Sequence, residues 1–206
     1  MKKLIPLSLF TIMMFVLPLF TGCGGDRSSD AVRYFMFEAD RATLKADTIG
    51  GNICVKTFKM AFPFNSSNFV YKKQSKDYEY DYYNRFISSP EVLISQQCRN
   101  WLEKSGIFKN VLNTTSIASA DYVLEGNIIN LYGDFAENDL AWAVMKIRFY
   151  LIKETKGEPV IMLNKGYEEK IEVAAASPGG LIDGYDKCME NILSNFESDL
   201  RKLSLK

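Results

Sequence analysis

The sequence predicts an α/β sandwich of one domain, in which two amphipathic helices cover a mixed, largely antiparallel sheet. Three observations carry that expectation. Two stretches keep helical spacing behind strong start signals, Ser89-Pro90-Glu91 and Ser177-Pro178-Gly179. Three long runs, 121–131, 140–153 and 159–173, have the composition and alternation of strands. Their links, around Gly133-Asp134 and Lys156-Gly157, are polar and contain glycine, which suits an antiparallel meander. A helix layer and a sheet that hide their apolar faces against each other satisfy this pattern in two layers.

In chain order, the first element is not part of the domain. Lys2-Lys3 precede an apolar run from Leu4 to Phe20, and Thr21-Gly22 lead straight into Cys23. Positive residues, a hydrophobic segment and small residues before a cut form a secretory signal, and the cysteine at the cut makes it a bacterial lipobox. Phe20 stands where a branched aliphatic is usual. The competing readings are a transmembrane anchor and a plain secretory signal. An anchor needs about 20 apolar residues, whereas this run is shorter and is interrupted by Pro6 and Pro18. The expected organisation is a signal peptide over 1–22 cleaved between Gly22 and Cys23, an acylated tether over 23–31 and a periplasmic domain over 32–206. Each buried methylene of an acyl chain adds about 0.8 kcal/mol, so several chains hold the protein to a membrane without spanning it. Gly24, and not Asp, follows the cysteine, which directs the expectation to the periplasmic face of the outer membrane.

Arg33 to Glu38 reads as a first strand, and a polar segment leads to the turn at Gly50-Gly51. Ile53 to Met60 reads as a second strand, ending before Pro63. From Phe62 to Phe86 the chain is rich in aromatic residues. Phe69 to Lys73 and Tyr78 to Asp81 suggest a hairpin turning over Gln74 to Asp77. These rings either pack on the sheet or form a docking surface, since tyrosine joins contact area to a polar tip. Tyr71, Tyr80, Tyr82 and Tyr83 are the candidate partner contacts. In the first helix Ile94, Cys98, Trp101 and Leu102 share a face, and Gly106 ends it before a short strand over Ile107 to Val111. Gly126 suggests a bulge in the first long strand and Gly166 a bend in the third. Leu181, Tyr185, Cys188, Met189, Ile192, Phe196, Leu200 and Leu203 give the last helix its buried stripe.

Composition narrows function. The chain of 206 residues holds 25 basic and 25 acidic side chains; losing Lys2 and Lys3 with the leader leaves 23 against 25, a net charge of −2. That balance gives no footprint for nucleic acid. Histidine is absent, which removes Ser-His-Asp and Cys-His catalysis, histidine zinc signatures and histidine proton shuttles. No enzyme activity, cofactor or metal site is expected. With Cys23 assigned to lipid, Cys54, Cys98 and Cys188 remain, an odd number in an oxidising compartment. Cys98 and Cys188 lie on apolar helix faces, as small buried hydrophobes or as a disulfide pair, and both readings stay open.

Ordered landmarks also resemble a family. They are the lipobox Cys23, Phe69-Val70-Tyr71 with Tyr82-Tyr83-Asn84-Arg85-Phe86, Trp101-Leu102 before Ser105-Gly106-Ile107-Phe108-Lys109-Asn110-Val111, Ala120-Asp121-Tyr122-Val123-Leu124-Glu125-Gly126, and Glu158-Pro159-Val160. Together they are similar to the auxiliary lipoproteins of ABC-type transport systems, which include the outer-membrane lipoprotein of the paraquat-inducible system. The aromatic at Phe86 is often Trp in that family. The resemblance implies an anticodon-binding-domain-like sandwich without catalytic residues. It also implies partners: a mammalian-cell-entry-domain protein forming a periplasmic lipid conduit, with its permease and ATPase. An envelope assembly or structural lipoprotein supporting an outer-membrane protein is the other class that this sequence suits.

Overall fold

The first of the three long runs becomes the axis of the sheet. The computed structural model describes residues 31–41, 47–136 and 140–205, so the leader and Cys23 lie outside the described residues. The strands are β1 (Arg33–Phe35), β2 (Gly50–Val55), β3 (Lys59–Met60), β4 (Asn68–Gln74), β5 (Asp77–Phe86), β6 (Phe108–Leu112), β7 (Tyr122–Asp134), β8 (Trp142–Lys153) and β9 (Val160–Glu172). Helices α1 (Pro90–Ser105) and α2 (Pro178–Lys202) precede β6 and follow β9. Residues Val32–Lys206 form one compact unit.

Strand β7 holds the sheet together along both edges. On one side it pairs antiparallel with β8, from Tyr122↔Lys153 to Asp134↔Trp142, and β8 pairs with β9 in the same sense. On the other side β2, β3 and β4 line up in succession, all parallel to it, at Ile53↔Tyr122, Lys59↔Asn127 and Tyr71↔Gly133. Beyond β4 lie antiparallel β5 and, parallel to β5, the edge strand β1; β6 runs parallel outside β2. The expected meander is therefore β7–β8–β9, and the parallel half comes from the long crossovers that parallel pairing requires.

Several local expectations need correction. The first strand covers three residues and not six. The run read as one second strand is two, β2 and β3, because residues 56–58 leave the sheet. Phe58 donates its backbone N–H to Ser95 Oγ on α1 at 2.8 Å, and its ring lies where a Cβ on Gly126 would stand, 2.5 Å away. Gly126 therefore makes room for a ring and pairs in register with Phe149; the irregularity in β7 falls between Ile128 and Asn130. Gly166 likewise pairs in register with Arg148.

Both helices pack on one face. Ala143, Met145, Ile147, Phe149 and Leu151 project from β8 into the core, as the alternation predicts. Phe149 stacks on Phe196 of α2 with centroids 4.3 Å apart and meets Phe58, beside α1, at 5.7 Å. Gly184 lets α2 approach closely: a Cβ there would stand 2.6 Å from Ala143 Cβ. Ser177 Oγ caps α2 by accepting from Gly180 N at 3.1 Å. Ser89 makes no such side-chain bond; its carbonyl accepts from Val92 N, and Gly106, at φ 68°, stops α1 in the left-handed region that glycine tolerates. The other face of the sheet carries polar cross-strand pairs such as Lys146–Glu168 at 2.7 Å and Arg148–Asn164 at 3.0 Å. Among the described residues no helix is long and apolar enough to cross a membrane.

Candidate functional site

The hairpin of β4 and β5 turns over Ser75-Lys76, between the paired Gln74 and Asp77. Its two strands do not keep step. From Val70↔Tyr80 to Asn68↔Arg85, β4 advances two residues while β5 advances five, so the extra residues of β5 bulge out of the ladder. One carboxylate organises that bulge. Asp81 Oδ1 accepts from Tyr83 N at 2.8 Å and Asn84 N at 2.9 Å, and its Oδ2 accepts from Tyr71 Oη at 2.6 Å and Asn84 Nδ2 at 2.5 Å. Burial alone would raise the pKa of Asp81; the hydrogen bonds from Tyr71, Asn84 and Tyr83 outweigh it and hold the carboxyl below its ordinary value. Burial, and then the bond to Asp81, push the Tyr71 phenol well up, so this pair stays an ionised acceptor and a neutral donor at neutral pH.

The bulge displays tyrosines. Tyr82 and Tyr83 meet edge to face with centroids 5.2 Å apart and remain 65% and 42% exposed. Arg85 holds Tyr82 from behind: its guanidinium lies over the ring at 5.2 Å and its Nε donates to the Tyr82 carbonyl at 3.2 Å. Across the next ladder Tyr34 pairs with Arg85 and is 61% exposed, and exposed Ile87 donates to the Phe35 carbonyl. Beneath them Phe35, Phe69 and Phe86 are packed together, at 5.2 Å and 4.6 Å between centroids.

The four tyrosines named from the sequence are thus not equivalent. Tyr82 and Tyr83 are brought together at the sheet margin. Tyr80, 45% exposed, donates to the Pro63 carbonyl at 2.8 Å, beside the cis Phe62–Pro63 peptide and the 83% exposed Phe62. Tyr71 is half-buried against Phe135 and supports the bulge from within. The aromatic run divides accordingly, with Phe69 and Phe86 in the core, Tyr71 half-buried against it, and Tyr78, Tyr80, Tyr82 and Tyr83 exposed. Sequence reasoning missed Asp81, Arg85, Tyr34 and Ile87 as parts of this margin. The order Asp-Tyr-Tyr-Asn was a usable signal, since an Asp that accepts from backbone N–H groups two and three residues on is a turn device.

A second cluster ties the helices to the segment after β1. Glu197 accepts from Arg41 Nε and Nη2 at 2.8 Å each, Trp101 Nε1 at 2.8 Å and Arg201 Nη2 at 2.6 Å. Burial opposes its ionisation, but the bonds from Arg41, Arg201 and Trp101 prevail and bring its pKa down to about 2. Cys98 and Cys188, left open between two readings, are free thiols in the structure, one on each helix, and Cys54 is free as well. Burial raises both helix thiols, Cys188 to about 12. Among the described residues no three Cys, Asp or Glu side chains converge as a metal site.

No family model matches the chain, and no curated protein matches it. Solved structures do share its fold. A DUF330-family protein from Xanthomonas campestris superposes with a TM-score of 0.64 at 10% identity, covering 81% of this chain and 91% of that one. An uncharacterised protein gives a TM-score of 0.64 at 9% identity, with 82% and 99% covered. At such identities the likeness is one of fold alone, over nearly the whole of both related chains.

Proposed function

We propose that this protein is a membrane-anchored accessory lipoprotein of an ABC-type, mammalian-cell-entry lipid or organic-solvent transport system, docking the periplasmic conduit at the outer membrane. The observation that carries the reading is the lipobox ending in Cys23 placed ten residues before an α/β domain that begins with β1. Function here is positional. An acylated Cys23 confines the domain to the membrane surface, which raises its effective concentration near a partner that crosses the periplasm. No step of bond chemistry is assigned to the domain; its work is to be recognised. The fold it shares with a DUF330 protein supports the reading without naming a partner.

For the conduit contact, Tyr80 with Phe62 on the helix-free face is the favoured pair, being exposed and fixed by the bond to Pro63. A photo-crosslinking residue at position 80 tests it in membranes, with position 161 on β9 as the distant control. Capture of a mammalian-cell-entry-domain protein from position 80 and not from 161 is the expected result. Capture of only an outer-membrane barrel or cell-wall component would replace transport with the envelope-assembly reading.

A further inference from the structure

The margin built from Tyr34, Tyr82, Tyr83, Arg85 and Ile87 runs along β1, the first strand after the chain enters the domain, and along β5, which pairs with it, to the residue just beyond β5. From its position and chemistry we infer that it is a lipid-contact edge, which rests in the headgroup layer of the membrane that holds Cys23 and sets the orientation of the domain. The inference rests on the anchored reading above. It adds a second contact to the acyl anchor and assigns Tyr82 and Tyr83 to lipid, leaving Tyr80 and Phe62 for a protein partner.

Chain length supplies the first argument. Arg33 is ten residues beyond Cys23, a span that reaches about 35 Å when fully extended. Strand β9, at the far margin, is five strand spacings or about 24 Å from β1 in the path β1-β5-β4-β7-β8-β9. To lay β9 on the membrane the tether would have to spend about two thirds of that reach in crossing the sheet. Laying the β1–β5 margin there requires almost none of it, so chain length favours that margin.

Surface chemistry supplies the second. Tyr34, Tyr82 and Tyr83 are amphipathic rings, the type enriched where water meets hydrocarbon, and Ile87, 63% exposed, adds an aliphatic insert. The cations present are Arg85, over Tyr82, and Arg33, over Phe35 at 5.7 Å; neither has a carboxylate partner among the described residues. Both keep guanidinium N–H groups for phosphate. The nearest acid on β5, Asp81, has its oxygens occupied by Tyr71, Tyr83 and Asn84. The bulge gives the third argument, because a device using four hydrogen bonds to expose two adjacent tyrosines has no role in the core.

The test is hydroxyl-radical footprinting of the mature acylated protein in vesicles of phosphatidylethanolamine and phosphatidylglycerol, beside the unacylated Cys23→Ala form free in solution. Tyr34, Tyr82 and Tyr83 should be labelled at least about threefold less in vesicles, as interfacial burial of an apolar face requires, while Val160 and Ile161 on β9 label equally in both. Triple replacement of the tyrosines by Ser, at exposed sites, should leave the protein on the vesicles yet abolish protection of Ile87. Quantitative vesicle binding with unchanged tyrosine labelling would overturn the lipid edge and leave the anchor standing. Equal protection of the soluble form would assign the margin to contacts between copies and also overturn it. Absence of acyl groups on Cys23 removes the anchored reading and this inference together.

Discussion

Replacing Glu197 by Gln keeps the shape of the side chain and removes the charge that three donors share. In the folded protein this carboxyl titrates at about 2 against an ordinary 4.5, a gap equivalent to about 3.4 kcal/mol of stability at neutral pH. The side chain of Glu197 is only 10% exposed, but Arg201 is 35% exposed and its share is screened by water, so about 2 kcal/mol is the expected loss. In a chain of this size that lowers the melting temperature by about 4–8 °C. The pH dependence gives a stricter test. A depressed carboxyl contributes its full stabilisation above the unfolded value and loses it as pH falls through the folded one, so the window runs from about 4.5 down to about 2. At pH 3 less than half of the difference between the two proteins should remain. Urea unfolding of the mature chain, followed by fluorescence, reads the effect directly, since Trp101 donates to the mutated group. A difference that is under about 0.5 kcal/mol at pH 7, within the range of ordinary surface changes, or that does not shrink toward pH 3, would show that the Glu197 charge does not carry this stability.

Three other outcomes follow from the packing. Gly184→Ala places a Cβ 2.6 Å from Ala143 and 2.7 Å from Val173; overpacking of about 1–3 kcal/mol should exceed the gain of about 1 kcal/mol in helix propensity, so the urea midpoint falls instead of rising. Asp81→Ala removes the acceptor of four hydrogen bonds and should cost about 2–3 kcal/mol, with amide exchange accelerated at residues 82–84 before the rest of β5. Iodoacetamide at pH 8 should modify the half-buried Cys54 first, and the buried Cys98 and Cys188, whose thiols are held neutral, only after denaturation without reductant; failure to label them when unfolded would establish the disulfide.

The parts of the fold that were legible in the sequence are those with a long period to read. Helix α2 and the β7–β8–β9 meander each repeat their pattern often enough that packing and propensity agree, and Leu181, Cys188 and Phe196 lie in the core as the spacing predicts. Short strands were not legible: β3 has two residues, and what separates it from β2 is the docking of Phe58 over Gly126, a contact between segments far apart in sequence. Parallel pairing of β2, β3 and β4 along one edge of β7 is equally non-local. The candidate site was half visible. Composition marked the tyrosines, but which ones turn outward depends on Asp81 and on the loss of register that it stabilises, and Tyr71 differs from Tyr82 only through that geometry.

The measurement that bears most directly on the proposed function is crosslinking and copurification from native membranes of the unaltered protein beside its Cys23→Ala form, with mass spectrometry of what accompanies each. A mammalian-cell-entry-domain protein, its permease and its ATPase should come with the native form, and the Cys23→Ala form should lose both the membrane and most of these partners. Recovery of none of them with the membrane-bound native form, or equal recovery with an unanchored Cys23→Ala form, would contradict the proposed function.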